Sequence, residues 1–238
     1  MRALALFTLA ALAAGCGADL DEPWQLAHDR IIAVRATPPR ILPGEQSTID
    51  VLLGFEKLPV EERGPDLAMV VSPASLSDVL ALEGGQWVVT APDEDRLAAA
   101  RAELELAADE PVPLQVGVAV TWPYDVAAVD GRTFAATKTI FLGESAANPE
   151  LVGMMIDGAE PAAELVVPAE DKVPLFVEAD DTVAIVNWLT SCGEMHDFDL
   201  HSAYLKVLPD QPQDGQLAVV LRDDRGGVTW RVWPIRAE

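Results

Sequence analysis

The 238-residue chain has two cysteines (Cys16 and Cys192), three histidines (His28, His196 and His201) and two tyrosines. So small a cysteine count excludes a disulfide framework, and any sandwich fold here must be held by its core. Basic residues are also scarce: 16 Lys and Arg stand against 39 Asp and Glu, for a net charge of −23. Such a field repels phosphate backbones and anionic headgroups, so nucleic acid is not an expected partner. After the N-terminus no apolar run is long enough to cross a bilayer as a helix. The familiar catalytic signatures are missing too. There is no P-loop and no glycine-rich dinucleotide turn. Gly143-Glu144-Ser145-Ala146-Ala147 lacks the second glycine of a nucleophile elbow. His196 and His201 are five apart with no glutamate between them, so they do not form a zinc-protease helix motif. The expectation is a non-enzymatic protein without cofactor or metal. Half the residues are hydrophobic, which excludes an acidic disordered tail.

What is present begins at the N-terminus. Arg2 is followed by an uncharged, largely apolar run from Ala3 to Leu12, then by Ala13, Ala14, Gly15 and Cys16. That order has the form of an export signal. Leu12-Ala13-Ala14-Gly15-Cys16 resembles the lipobox of bacterial lipoproteins, although Ala13 stands where that family usually has leucine. The resemblance implies removal of residues 1–15 and lipidation of Cys16, whose several acyl chains would anchor the protein stably. Gly17, in place of aspartate, implies the outer membrane rather than retention at the inner one. The cell envelope is the expected location, with the membrane as a partner through lipid on Cys16.

Residues 16–29 are polar and aperiodic over most of their length and are expected to form a tether. Alternation then takes over. Strands are expected around Ile32–Thr37, Ile49–Leu53, Leu67–Val71, Trp87–Thr90, Leu114–Trp122 and Arg132–Leu142. One helix interrupts them: Asp93 is a predicted N-cap, and Leu97, Ala100 and Leu104 fall at helical spacing up to Ala108. Glu103 and Glu105 oppose the helix dipole, so its last turn is expected to be weak. Residues 146–149 read as a linker, after which strands recur at Leu151–Ile156, Val173–Val177, Val183–Leu189, Gln216–Arg222 and Val228–Val232. Leu42-Pro43-Gly44-Glu45 and Val167-Pro168-Ala169-Glu170, 125 positions apart, each precede a strand. The fold class is therefore mainly β: two tandem β-sandwiches, 30–145 and 150–238, with one short helix inserted in the first.

Arg35-Ala36-Thr37-Pro38-Pro39 followed by Leu42-Pro43-Gly44-Glu45 resembles the opening strands of bacterial Ig-like domains. Gly215 to Trp230 resembles the closing hairpin of PKD-like and related modules. The whole is similar to the Ig-like lipoproteins of myxobacteria and other Gram-negative bacteria. That resemblance implies a binding or assembly role at the envelope, with a protein or glycan partner, and supplies no catalytic residues.

Candidate contact residues are few. If residues 196–201 were extended, Asp197, Asp199 and His201 would share one face. They could meet a basic partner, with His201 lending pH sensitivity, or serve a metal-dependent enzyme centred on His196 and His201. The bland alternative is a polar loop with Phe198 and Leu200 packed down. Trp122 and Tyr124, at a strand end, are candidates for an aromatic contact in a carbohydrate-binding reading, whereas Trp188, Trp230 and Trp233 are more naturally core residues. Asp223-Asp224-Arg225-Gly226-Gly227 reads as a hairpin turn, with Gly226 or Gly227 at positive φ. Ile185 and Trp188 are expected in the second core.

Overall fold

The computed structural model describes residues 22–56, 58–121 and 132–238. The first half contains β1 (Arg30–Thr37), β2 (Arg40–Ile41), β3 (Gln46–Gly54), β4 (Glu61–Arg63), β5 (Leu67–Ser72), β6 (Leu80–Glu83), β7 (Gln86–Thr90), the helix α1 (Glu94–Glu103), β8 (Val112–Thr121) and β9 (Thr133–Leu142). The second contains β10 (Leu151–Ile156), β11 (Leu165–Val167), β12 (Val173–Ala179), β13 (Val183–Thr190), β14 (Glu194–His196), β15 (Ser202–Lys206), β16 (Asp214–Asp223) and β17 (Val228–Ala237).

These strands form four sheets: β1-β3-β7-β6, with β4 also on β3, and β2-β9-β8-β5; then β10-β12-β15-β14 and β11-β17-β16-β13. Apart from β4, the strand order of the two halves is the same. In each, a short second strand leaves the first sheet and pairs in parallel with the last strand of the other: β2 with β9, β11 with β17. This is the Ig-type division of strands between two packed sheets. The echo between residues 42–45 and 167–170 follows from it, since both segments lead from the sheet-switching strand towards the next strand, β3 or β12.

Alternation selects each core. On β8, Val112, Leu114, Val116, Val118 and Val120 are buried against Ile49, Val51 and Leu53 of β3. In the second sandwich, Trp188 is fully buried among Val177, Leu205, Val219 and Trp233. The helix behaves as its sequence indicates. Asp93 accepts the Arg96 amide at 3.0 Å, Leu97 and Ala100 are buried, and the helix stops at Glu103, five residues before Ala108. Glu105 sits at φ +58°, so the acidic last turn is not helical.

Two expectations are corrected and a third, the linker, is made more specific. Ile185 is exposed rather than buried, because the register between β13 and β16 shifts between Val183 and Ile185. A bulge reverses the parity of the strand, and Val186 and Trp188 take the core positions instead. The described part of the expected tether is folded: the Thr190 amide donates to Trp24 O, the Leu26 amide to Thr190 O, and Leu26 is buried. The expected linker is held in place as well. Asn148 donates to Ala36 O at 2.9 Å and accepts the Val228 amide at 2.8 Å, while Thr229 donates to Pro149 O.

The two sandwiches pack face to face. Ala33 and Leu52, on the outer face of the first sandwich, meet Leu189, Ala218, Val220 and Trp230, on the outer face of the second, with Leu26 wedged among them. This explains the unbroken apolar run Leu217-Ala218-Val219-Val220-Leu221, all of it buried. Odd residues fill the second core and even residues fill the interface, so both faces of β16 are covered.

Candidate binding cleft between the sandwiches

The turn between β16 and β17 positions the site. Asp223 accepts the amides of Arg225 and Gly227 at 2.8 and 2.5 Å, closing the turn on its own carboxylate. Gly226 lies at φ +84°, as the turn reading required, and a Cβ there would come within 2.8 Å of Thr139 O. Only glycine lets the second sandwich approach β9 this closely. The turn is then fastened from the first sandwich. Arg40 pairs with Asp223, Lys138 Nζ donates to Gly226 O, and Arg225 pairs with Glu144 at 2.6 Å. With its carboxylate occupied by Arg40 and two amides, Asp223 is committed to structure.

A cleft of about 390 Å³ opens beside this turn, lined among others by Ile31 and Val34 of β1, Thr137, Lys138 and Phe141 of β9, and Arg222 of β16. Among the described residues, β9 has no strand partner on its β1 side before Phe141, where β2 joins it. The cleft therefore lies at the open mouth of the first sandwich and is closed by the second. A smaller hollow of about 230 Å³ adjoins it, bordered by Pro23, Asn187 and Phe198, and shares Ile31, Ile32 and Arg222 with it.

Two cations define its electrostatics. Lys138 is buried, and desolvation pushes its ammonium down to about 8; the nearby Asp223 charge opposes that shift and Arg222 adds to it. Arg222 donates to Asn187 Oδ1 and, at 3.1 Å, to Ile32 O. Its guanidinium is also held below its ordinary value by burial.

The site residues expected from sequence do not converge there. Residues 197–201 form the turn between β14 and β15 rather than an extended run, with Asp197 at φ +54° and the Leu200 amide donating to its carbonyl. Asp197, Asp199 and His201 are therefore exposed turn residues without a common face. Phe198 packs against the second core, whereas Leu200 is exposed. His196 stacks on Tyr204 at 4.3 Å, and Lys172 lies over the same ring. Among the described residues no three His, Cys, Asp or Glu side chains converge to hold a metal ion. Trp188, Trp230 and Trp233 are buried. Cys16, Trp122 and Tyr124 lie outside the described residues.

Sequence reading passed over Lys138 and Arg222, though both carried a signal. Lys138 has the parity of Ile140 and Leu142, which are core positions. Arg222 has the parity of Ala218 and Val220, which face the other sandwich. A lone cation in a buried register was the mark of the cleft.

No family model matches the chain, and no curated protein matches it. Solved structures similar to it include a chimeric titin Z1Z2-Z1Z2 tandem, at 11% identity and TM-score 0.33, covering 89% of this chain and all of that one. The N-terminal Ig1-2 module of the Drosophila receptor protein tyrosine phosphatase DLAR is 10% identical with TM-score 0.30, covering 87% and 98%. The fibronectin(III)-like modules of Clostridium thermocellum CbhA are 13% identical with TM-score 0.28, covering 87% and 94%.

Proposed function

We propose that this is a non-enzymatic lipoprotein of the cell envelope, anchored in the outer membrane by lipid on Cys16 and acting as a binding or assembly module. The observation that carries the reading is the face-to-face locking of two Ig-like sandwiches through Leu26, Leu52, Ala218 and Trp230. A pair of sandwiches free to swing would act as a spacer. A locked pair presents a fixed surface, which is what a binding module needs. Folding of the chain from Trp24 onward supports an anchor close to the body. Glu22 is six positions beyond Cys16, a reach of about 20 Å when extended. The buried tryptophans give no support to a sugar-stacking platform built from them.

The test is fractionation combined with envelope cross-linking. Wild-type protein is expected in the outer-membrane fraction, Cys16→Ser protein in the soluble fraction, and cross-linking in intact cells is expected to capture a reproducible envelope protein or glycan. Unchanged membrane association of Cys16→Ser would overturn the anchor. Hydrolase turnover by the purified protein would overturn the non-enzymatic reading.

A further inference from the structure

Lys138 and Arg222 face one cleft from opposite sandwiches, and among the described residues neither forms an ion pair with a carboxylate. Lys138 donates to the Gly226 carbonyl, and Arg222 to the Asn187 amide oxygen and the Ile32 carbonyl. Lys138 is buried and Arg222 half-buried; cations withdrawn from water and hydrogen-bonded only to neutral acceptors are unusual, because desolvating a charge is ordinarily offset by an opposite one. Among the described residues, two acids of this seam are already engaged: Asp223 by Arg40, and Glu144 by Arg225 and, more loosely, Arg40. Asp224 borders the cleft but is exposed and forms no ion pair with either cation. In a chain of net charge −23, a cleft lined by a buried lysine and a half-buried arginine is a local concentration of positive charge.

The walls have a different character. Ile31, Val34 and Phe141 give the cleft an apolar side, and the hollow beyond Arg222 continues past Leu189 and Phe198. We propose that the cleft binds an amphipathic carboxylate, a small molecule with one carboxylate head and an aliphatic body. The head sits between Lys138 and Arg222, and the body lies along Ile31, Val34 and Phe141. The ligand supplies a carboxylate to the two cations, which hydrogen-bond only neutral acceptors, and covers apolar surface in the same step. Because the two cations belong to different sandwiches, only the docked pair makes the site. The inference deepens the binding-module reading by naming a ligand class.

The test uses protein exported with Cys16→Ser, which keeps the protein's own lipid out of the assay, and decanoate as the probe. Decanoate is expected to bind at one saturable site by calorimetry. Acetate should bind about tenfold more weakly or worse, and decyltrimethylammonium not at all. Lys138→Met and Arg222→Met should each weaken decanoate about tenfold, the loss of one charge-assisted contact, while Lys138→Arg should retain most of the affinity. If the methionine variants do not fold, a nitroxide-labelled decanoate settles the point on unsubstituted side chains. It should broaden the amide resonances of Ile32, Thr137 and Gly226. Broadening instead at the exposed Leu67, Met69 and Val71 face, equal binding of the cationic amphiphile, or tighter binding of an acidic hexapeptide would overturn the proposal. Absence of decanoate binding with an envelope partner still captured would reject the cleft ligand alone. Decanoate binding without any captured partner would count against the assembly reading instead.

Discussion

Arg40 and Asp223, 183 residues apart, form an ion pair that joins the two sandwiches, and the Asp223 side chain is only 2% exposed. The same carboxylate closes the turn at Arg225 and Gly227, so one side chain shapes the turn and fastens it. Removing either partner strands the other in a poorly solvated place. Arg40→Met is expected to cost about 3 kcal/mol in urea unfolding. The double variant Arg40→Met, Asp223→Asn should cost less than the sum of the two single changes. Strict additivity would show that the pair is not coupled.

Leu26 tests the strap that crosses the interface. It is buried among Leu52, Leu189 and Trp230, so Leu26→Ala should destabilise by about 2–5 kcal/mol. The native chain should unfold in one transition, and a Leu26→Asp variant in two, as the sandwiches lose their shared core. Two transitions in the native protein would show that the interface contributes little.

Proteolysis offers a direct check on the connector. Polar, small residues at 146–149 suggest an exposed cutting site. Asn148 and Pro149, however, are bonded to both sandwiches, and protease cleavage requires the backbone to leave its partners. Native protein should resist cutting between Ser145 and Glu150, and Asn148→Ala should make that segment susceptible. Rapid cleavage of the native chain there would show the connector to be loose.

Lys138 makes a prediction about pH. Its ammonium falls from the ordinary 10.5 to about 8 in the folded chain. Below pH 8 both states are protonated, and the folded one bears the full penalty of a buried charge. Between 8 and 10.5 the unfolded chain binds more protons, so stability rises with pH, by up to about 3 kcal/mol from this residue. Denaturation midpoints compared with Lys138→Met isolate the effect. The wild-type protein should gain relative to the variant across that window, and parallel curves would reject the shift.

Cys192 is buried, and desolvation raises its thiol above the usual range, only partly opposed by the Thr190 hydroxyl. A protonated, enclosed thiol is a poor nucleophile. Iodoacetamide at neutral pH should leave it unmodified in native protein and alkylate it in urea. Fast native labelling would place the side chain at the surface.

Much of this architecture was legible in the residues. The alternation on β8, the Asp93 cap, the weak acidic end of α1 and the turn glycine before β17 are local properties, decided by parity, side-chain chemistry and φ. The same is true of the echo between residues 42–45 and 167–170, because each segment serves the same change of sheet. For Asp197, Asp199 and His201 the local backbone was not legible, for the complementary reason. Their shared face existed only if residues 196–201 were extended, and Asp197 turns the chain instead.

What the sequence by itself determined is the β-sandwich class, the pairing of two like halves, the acidity, and the lack of recognised catalytic motifs. These depend on composition and on patterns a few residues long. Only the tertiary structure decided which second face of β16 is covered, that Leu26 belongs to a core, and that Lys138 and Arg222 meet at one cleft. Each of these joins residues more than 80 positions apart. A strand's alternation says that a face is buried but not against what, and charges far apart in the chain become neighbours only when two surfaces dock.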